Sequence, residues 1–371
     1  MIIGLFVFVL YLYLFVGFNK IFLVVRDVNI ANYFTFYLLA LGTVLFVMFC
    51  WVSSWRGLLK TLGVEINLKN AYFYYFAGYF VDLIVPCQQI CGELTRLYLV
   101  RNETKHNYGV IGAAGIANRI LGYSIVTSGL SVGVVYLLVS NRIPTFATDL
   151  LVLTWFGALV YLSVLLYLAL SENAADKLAS IVLRLLKVLR VKRYRSQNVL
   201  SPGLVASLRS FHEGFALFRG RPRHLVAPII FQSIAYSLSL LSYILVFYSL
   251  GFTNLIFDFF IIVYFLAGAI QDFASVFSVG GLEILLTNLF VFFGIGQATS
   301  GVAAAVLRSV TFWFPLIVGF VIVQVIGARS LLNPDIRKDV ETEVNKKIFK
   351  KEDTAESADV SQQTSPQPPQ T

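Results

Sequence analysis

Apolar residues run along this chain in blocks long enough to cross a bilayer, and polar residues fall mainly between the blocks. Runs at about 2–25, 32–55, 109–139, 149–170, 225–250 and 299–327 reach the roughly 20 apolar residues that span ~30 Å of hydrocarbon. Two further apolar stretches are interrupted: 70–105 by Pro86 and Gly92, and 254–294 by Ser-Val-Gly-Gly at 278–281. Each reads as two full helices or as a re-entrant pair. Lipid offers the backbone no hydrogen-bond partner, so segments of these lengths predict helices and an all-α integral membrane protein. The expected architecture is about six full transmembrane helices plus two broken or re-entrant hairpins. The opening run, residues 1–18, has no positive n-region and no small-residue cleavage site after it, so it reads as an uncleaved anchor.

Composition agrees. Hydrophobic residues make up 58% of the 371 and charged residues only 13%, against about a quarter charged in a soluble domain; the mean hydropathy is +0.77. Charge then orients the spans. Residues 171–224 hold eleven Lys and Arg against Glu172, Asp176 and Glu213, a local net of +8 out of +9. A basic block between spans marks the cytoplasmic side, and in a multispanning chain it does not argue for nucleic acid. With 171–224 as a basic cytoplasmic linker, the segments carrying Arg56, Lys60, Lys69, Arg96, Arg101 and Lys105 also fall inside, provided 70–105 returns to its own side. The C-terminal tail falls inside on the same condition for 254–294. Within the linker, 172–195 mixes apolar and basic residues as a helix lying on the inner leaflet would. The expected division is a polytopic membrane domain over 1–330 and a disordered cytoplasmic tail over 331–371, too polar to build a core. The sequon at Asn102 lies on the cytoplasmic side and is expected to be unused.

The two interrupted stretches match. The first reads Asp82, eleven residues to Glu93, then twenty-six to Arg119; the second reads Asp272, eleven residues to Glu283, then twenty-five to Arg308. "AAGIANR" ends at Arg119 and "AAAVLR" at Arg308, and glycines stand at both breaks, Gly92 in one and Gly280 and Gly281 in the other. Three spans separate the copies, and an odd number of crossings inverts the second. Halves of about 32–139 and 225–327 are therefore expected to form an inverted internal repeat, a recurring transporter plan. Charges at a helix centre cost roughly 2.5–3.5 kcal/mol each on insertion scales. These six residues should therefore face the bundle interior or a hydrated cavity. Glu93–Arg119 and Glu283–Arg308 pairs would either fix the hairpins or serve a ligand.

Other chemistry is sparse. Cys50, Cys87 and Cys91 give no disulfide framework or metal site and read as packing residues. There is no G-x-x-x-x-G-K-[ST] phosphate loop. His106, His212 and His224 fall at expected cytoplasmic edges with no nucleophile beside them. No catalytic constellation, metal or cofactor is implied. Gly129 and Gly133 form a GxxxG that permits close helix approach.

Pro86, Gly92, Glu93 and Arg96, followed by "ANR" at Arg119, with "GGLE" at Gly280, Gly281 and Glu283 and "LRSVTFW" around Arg308, resemble the lysylphosphatidylglycerol synthase transmembrane-region family, also called flippase-like. The wider Pro86-to-Glu93 spacing is more similar to its archaeal branch. The resemblance covers about 1–330. It implies a lipid flippase or transporter for a polar-headed lipid, either an aminoacylated phospholipid or a polyprenyl-linked sugar. In that role Arg96, Arg119 and Arg308 would hold a phosphate, while Glu93 and Glu283 would pair with them or meet a cationic headgroup. The family often has Gly and Arg where this chain has Cys87, Gln88 and Gln89, so a contact through that Arg does not carry over. The alternative is a non-transporting scaffold that binds anionic or polyprenyl-linked lipid and docks a separate synthase or glycosyltransferase. Neither a synthase domain after 330 nor a nucleotide-sugar domain before 1 is expected.

Overall fold

The computed structural model describes residues 2–85, 90–140, 145–171, 202–252, 257–273 and 279–332. Pro86, Cys87, Gln88, Gln89, the 172–195 segment and the tail beyond 332 lie outside them. Every regular element among the described residues is helical. Five helices are long and apolar enough to cross a membrane: Ile30–Thr61, Tyr108–Tyr136, Thr148–Leu170, Pro222–Ser249 and Gln297–Gly327. This is a multi-pass membrane protein. Residues up to Gly319 form one compact unit.

The first apolar run departs from the expected single span. It forms α1 (Ile2–Tyr11), a π turn (Leu12–Val16) and α2 (Phe18–Asp27). Gly17 between them has φ +84°, a left-handed backbone that glycine alone adopts without strain. The side chain of Asn29 then accepts from the Ala31 and Asn32 amides and starts α3 (Ile30–Thr61), satisfying donors that the first helical turn leaves open.

Two shorter helices follow, α4 (Leu68–Ile84) and α5 (Ile90–Thr104), and then the long α6 (Tyr108–Ser140) and α7 (Thr145–Leu170). At 17 residues, α4 is about 26 Å long, short of the ~30 Å hydrocarbon core; α5, at 15 residues, is shorter still. Their open ends lie together, since Asn70 Nδ2 donates to Glu103 Oε1 at 3.0 Å. They cross at Gly78 and Gly92. A Cβ on Gly92 would strike the Asp82 carboxylate and the Gly78 carbonyl, and one on Gly78 would strike the Arg96 side chain.

A second set of helices follows α7. The basic region expected as a linker contains α8 (Pro202–Gly220), which is packed into the bundle: Gly214 lies against Ala113 of α6, and Phe215 and Phe218 are buried in a core shared with Leu58, Leu62 and Ala114. A 3-10 turn (Pro222–Leu225) leads into α9 (Val226–Ser249), followed by α10 (Phe257–Phe273) and α11 (Gly281–Phe292). The last span is α12 (Gln297–Arg308), a π turn (Ser309–Trp313) and α13 (Phe314–Leu332).

An antiparallel α3–α9 pair forms the spine. Gly57 of α3 meets Pro228 near the start of α9, the Phe49 and Phe231 rings lie 6.5 Å apart, and Phe36 meets Tyr248 at 5.6 Å near the other ends. The hairpins approach this spine from opposite ends. Tyr75 of α4 stacks edge-on against Trp55, late in α3. Phe247, late in α9, instead meets Phe260 of α10 at 5.1 Å and Phe290 of α11 at 4.8 Å. The matched arginines also stand alike: Arg119 and Arg308 each lie eleven residues after the first residue of their helix, Tyr108 and Gln297.

One cysteine departs from expectation. Cys50 is free and buried in the α3–α9 contact, as a packing residue should be, but Cys91, at the start of α5, is disulfide-bonded.

The α4–α5 crossing gives a direct test. Gly92→Ala forces its Cβ into Asp82 and should lower stability by about 1–3 kcal/mol through overpacking. Gly42→Ala, at an α3 position with open space around the new methyl, should be neutral or stabilising by up to ~1 kcal/mol. Thermal unfolding in detergent separates them; equal melting temperatures would contradict the packing described.

Candidate functional site

The hairpin tips carry the buried charge. Asp82 lies near the end of α4 and Glu93 and Arg96 in the first turns of α5. Arg96 reaches Glu93 Oε2 at 2.9 Å and Asp82 Oδ2 at 3.4 Å, and its guanidinium lies 4.3 Å from the Tyr75 ring centroid. The other Asp82 oxygen accepts the Gly92 amide at 2.7 Å, so one carboxylate satisfies both a helix-start donor and a buried cation. At the second tip Gly280, with φ +86°, donates its amide to Glu283 Oε2 at 2.6 Å. Glu283 Oε1 receives Arg308 Nε at 3.0 Å, with both side chains only 4% exposed. Arg308 lies 4.4 Å from the Phe312 ring centroid, so an aromatic face flanks each tip arginine.

Sequence reasoning paired Glu283 with Arg308, and the structure joins them. It also paired Glu93 with Arg119; Glu93 forms an ion pair with Arg96, three residues along its own helix. The other carboxylate oxygen rests against Gly115, where any Cβ would overlap it, one turn before Arg119 on α6. Gly281 is the first residue of α11. The Asp272 side chain and all of Pro86 lie outside the described residues.

These residues surround a cavity of about 300 Å³. Asp82, Glu93, Arg96, Arg119 and Arg308 line it directly, while Glu283 stands behind Arg308. α3 contributes residues from Val44 to Trp51, α6 from Asn118 to Val126 and α9 from Gln232 to Tyr243, each stretch centred on its helix. The cavity therefore sits at mid-depth of the spans, with one hairpin tip reaching it from each end. The π turn at Ser309–Trp313 directly follows Arg308, and such bulges are frequent at functional sites.

The polar, uncharged lining escaped sequence reasoning. Tyr75, Tyr79, Tyr123, Tyr236, Tyr243 and Tyr264 all face the cavity. Gln232 and Gln271 join them, and Gln232 Oε1 is buried with no hydrogen-bond partner among the described residues. An amide in the middle of an apolar span was the available signal for Gln232. The tyrosines gave none, because they are equally at home at a lipid interface.

A family model described as "Lysylphosphatidylglycerol synthase TM region" matches residues 1–319. The chain belongs to this family. It is similar to a UPF0104 membrane protein of Pyrococcus horikoshii, 22% identical over 295 residues, covering 78% of this chain and 86% of that protein. It is also similar to a UPF0104 membrane protein of Methanocaldococcus jannaschii, 21% identical over 324 residues, covering 86% of this chain and 92% of that protein. No solved structure matches it. The family match takes in both hairpins and every cavity-lining residue.

Breaking a buried ion pair from one side leaves a charge without its partner and costs about 3–5 kcal/mol. Glu283→Leu or Arg308→Met alone should therefore destabilise strongly, and the two together should cost less than the sum of the single changes. A double-mutant cycle on thermal unfolding measures the coupling; additive losses would mean the two groups do not depend on each other.

Proposed function

We propose that this protein moves a polar-headed lipid across the membrane, with the headgroup passing through the mid-depth cavity while the acyl or prenyl chains stay in lipid. The observation that carries the reading is the cavity's position: charged and polar side chains from both hairpins converge where a passing headgroup would otherwise meet hydrocarbon. We read the matched Asp–Glu–Arg sets as an inverted repeat, which would let the two hairpins open the cavity to either leaflet in turn. In this account Arg119 and Arg308 offer guanidinium donors to a headgroup phosphate. Arg96, held by two carboxylates, keeps the first hairpin in shape. The basic end of the bundle, with Lys60, Arg101 and Arg219–Arg223, faces the cytoplasm of the cell membrane by the positive-inside bias.

Gly268 lines the cavity, and a Cβ there meets no heavy atom within 4 Å. Gly268→Phe should therefore fill the passage without disturbing the packing around it. In proteoliposomes, labelled anionic phospholipid and labelled polyprenyl-phosphate sugar are followed with wild type and with this variant. The expected result is movement of one lipid by wild type, at least tenfold slower in Gly268→Phe at an unchanged melting temperature. Well-folded wild type that moves neither lipid would favour a lipid-binding scaffold that docks a separate synthase or glycosyltransferase.

A further inference from the structure

The cavity's lining selects among headgroups, and the selection rests on the transport reading only in assuming that a lipid headgroup occupies the cavity. Each described carboxylate at the site is already engaged. Asp82 holds the Gly92 amide and Arg96, Glu93 holds Arg96, and Glu283 holds the Gly280 amide and Arg308. A headgroup ammonium entering here would have to draw a carboxylate from an arginine that is itself buried, leaving that arginine without its counter-charge. The opposite need is open. Gln232, 4% exposed, lines the cavity, and its side-chain oxygen is buried with no hydrogen-bond partner among the described residues. A buried acceptor left in that state destabilises the empty protein, and a neutral ligand O–H relieves it without bringing a charge that needs a counter-ion.

Around this acceptor the walls are aromatic and neutral. The ring of Tyr236 is one turn from Gln232 on α9, and both side chains border Gly122 of α6, where a Cβ would come within 3.2 Å of the Gln232 amide nitrogen and 3.1 Å of the Tyr236 hydroxyl. Tyr243 and Tyr264 stack edge-on at 5.2 Å farther along the same wall. Aromatic faces cover the C–H faces of a ring-shaped polyol, while hydroxyls and amides meet its rim. We infer that the cavity recognises a hydroxyl-rich, sugar-type headgroup through Gln232 and the surrounding tyrosines, and disfavours a cationic aminoacyl headgroup.

The test is a binding panel on the purified full-length protein in detergent, using monoglucosyl diacylglycerol, phosphatidylglycerol and the lysyl ester of phosphatidylglycerol as titrants. Wild type should bind the glucosyl lipid at least tenfold more tightly than the lysyl ester. Gln232→Leu should weaken the glucosyl lipid roughly tenfold, leave phosphatidylglycerol within about twofold, and raise the melting temperature of the lipid-free protein because an unsatisfied buried oxygen has gone. Gln232→Glu, which places a carboxylate at the same point, should shift preference toward the lysyl ester. A lysyl ester bound by wild type as tightly as the glucosyl lipid overturns the inference. So does binding of none of the three, or an equal loss for every lipid in Gln232→Leu. The wild-type panel decides the matter even if a variant fails to fold. If the panel order holds while no lipid crosses proteoliposomes, the transport reading falls and the headgroup assignment stands. If lipids cross with an aminoacyl preference, the reverse is true.

Discussion

Glu283 and Arg308 come from different helices, and neither can be buried at mid-membrane without the other. Each ion would carry several kcal/mol of desolvation if left alone, so the tip of α11 and the end of α12 are held together by a requirement stronger than apolar contact, which lipid tails satisfy equally well. The same requirement closes the first hairpin, where Arg96 draws Asp82 from α4 and Glu93 from α5 onto one guanidinium. Close approach is the geometric condition for this first arrangement, met at Gly78, Gly92 and Gly115, where side chains would collide.

Two short hairpins pinned in this way leave space between their tips and the α3–α9 spine. Irregular backbone at membrane depth is tolerated only where it is buried in protein or borders a polar cavity, and residues of both hairpin tips line one here. The charge that fixes the fold and the polarity that a headgroup would need are thus the same residues. The division of labour is uneven: Arg96 is held by two carboxylates, whereas the second tip has Leu286 at the equivalent place, three residues after Glu283. The two tips therefore present different surfaces to the cavity.

Much of this was legible in the sequence. The long helices after the first run followed from run length, and the meeting of Asp82, Glu93, Arg119 and Arg308 around one cavity from the recurrence of Asp, Glu and Arg at matched spacing, which lipid makes too costly to leave unexplained. Ion-pair choice was harder. Arg96 and Arg119 were both available to Glu93, and its ion pair with Arg96 depends on side-chain geometry that spacing along the chain does not carry. The break at Gly17 was hidden because hydropathy averages over a single glycine. The packing of α8 was hidden by its basic neighbours, since Phe215 and Phe218 lie on one face of a helix whose overall composition reads as surface. Tyr75, Tyr79 and Tyr243 were counted with the apolar residues, although their ring-and-hydroxyl character is what makes the cavity wall suited to a polar ligand.

The central claim is that the mid-depth cavity is reached from both leaflets, and Gly268 is the place to measure it. Gly268→Cys, in a Cys50→Ala background reconstituted in one orientation, is exposed to a membrane-impermeant thiol reagent applied to each face in turn. The account predicts labelling from either face, slowed from both when a lipid that binds the cavity is added. Labelling from one face only, or from neither, would contradict it.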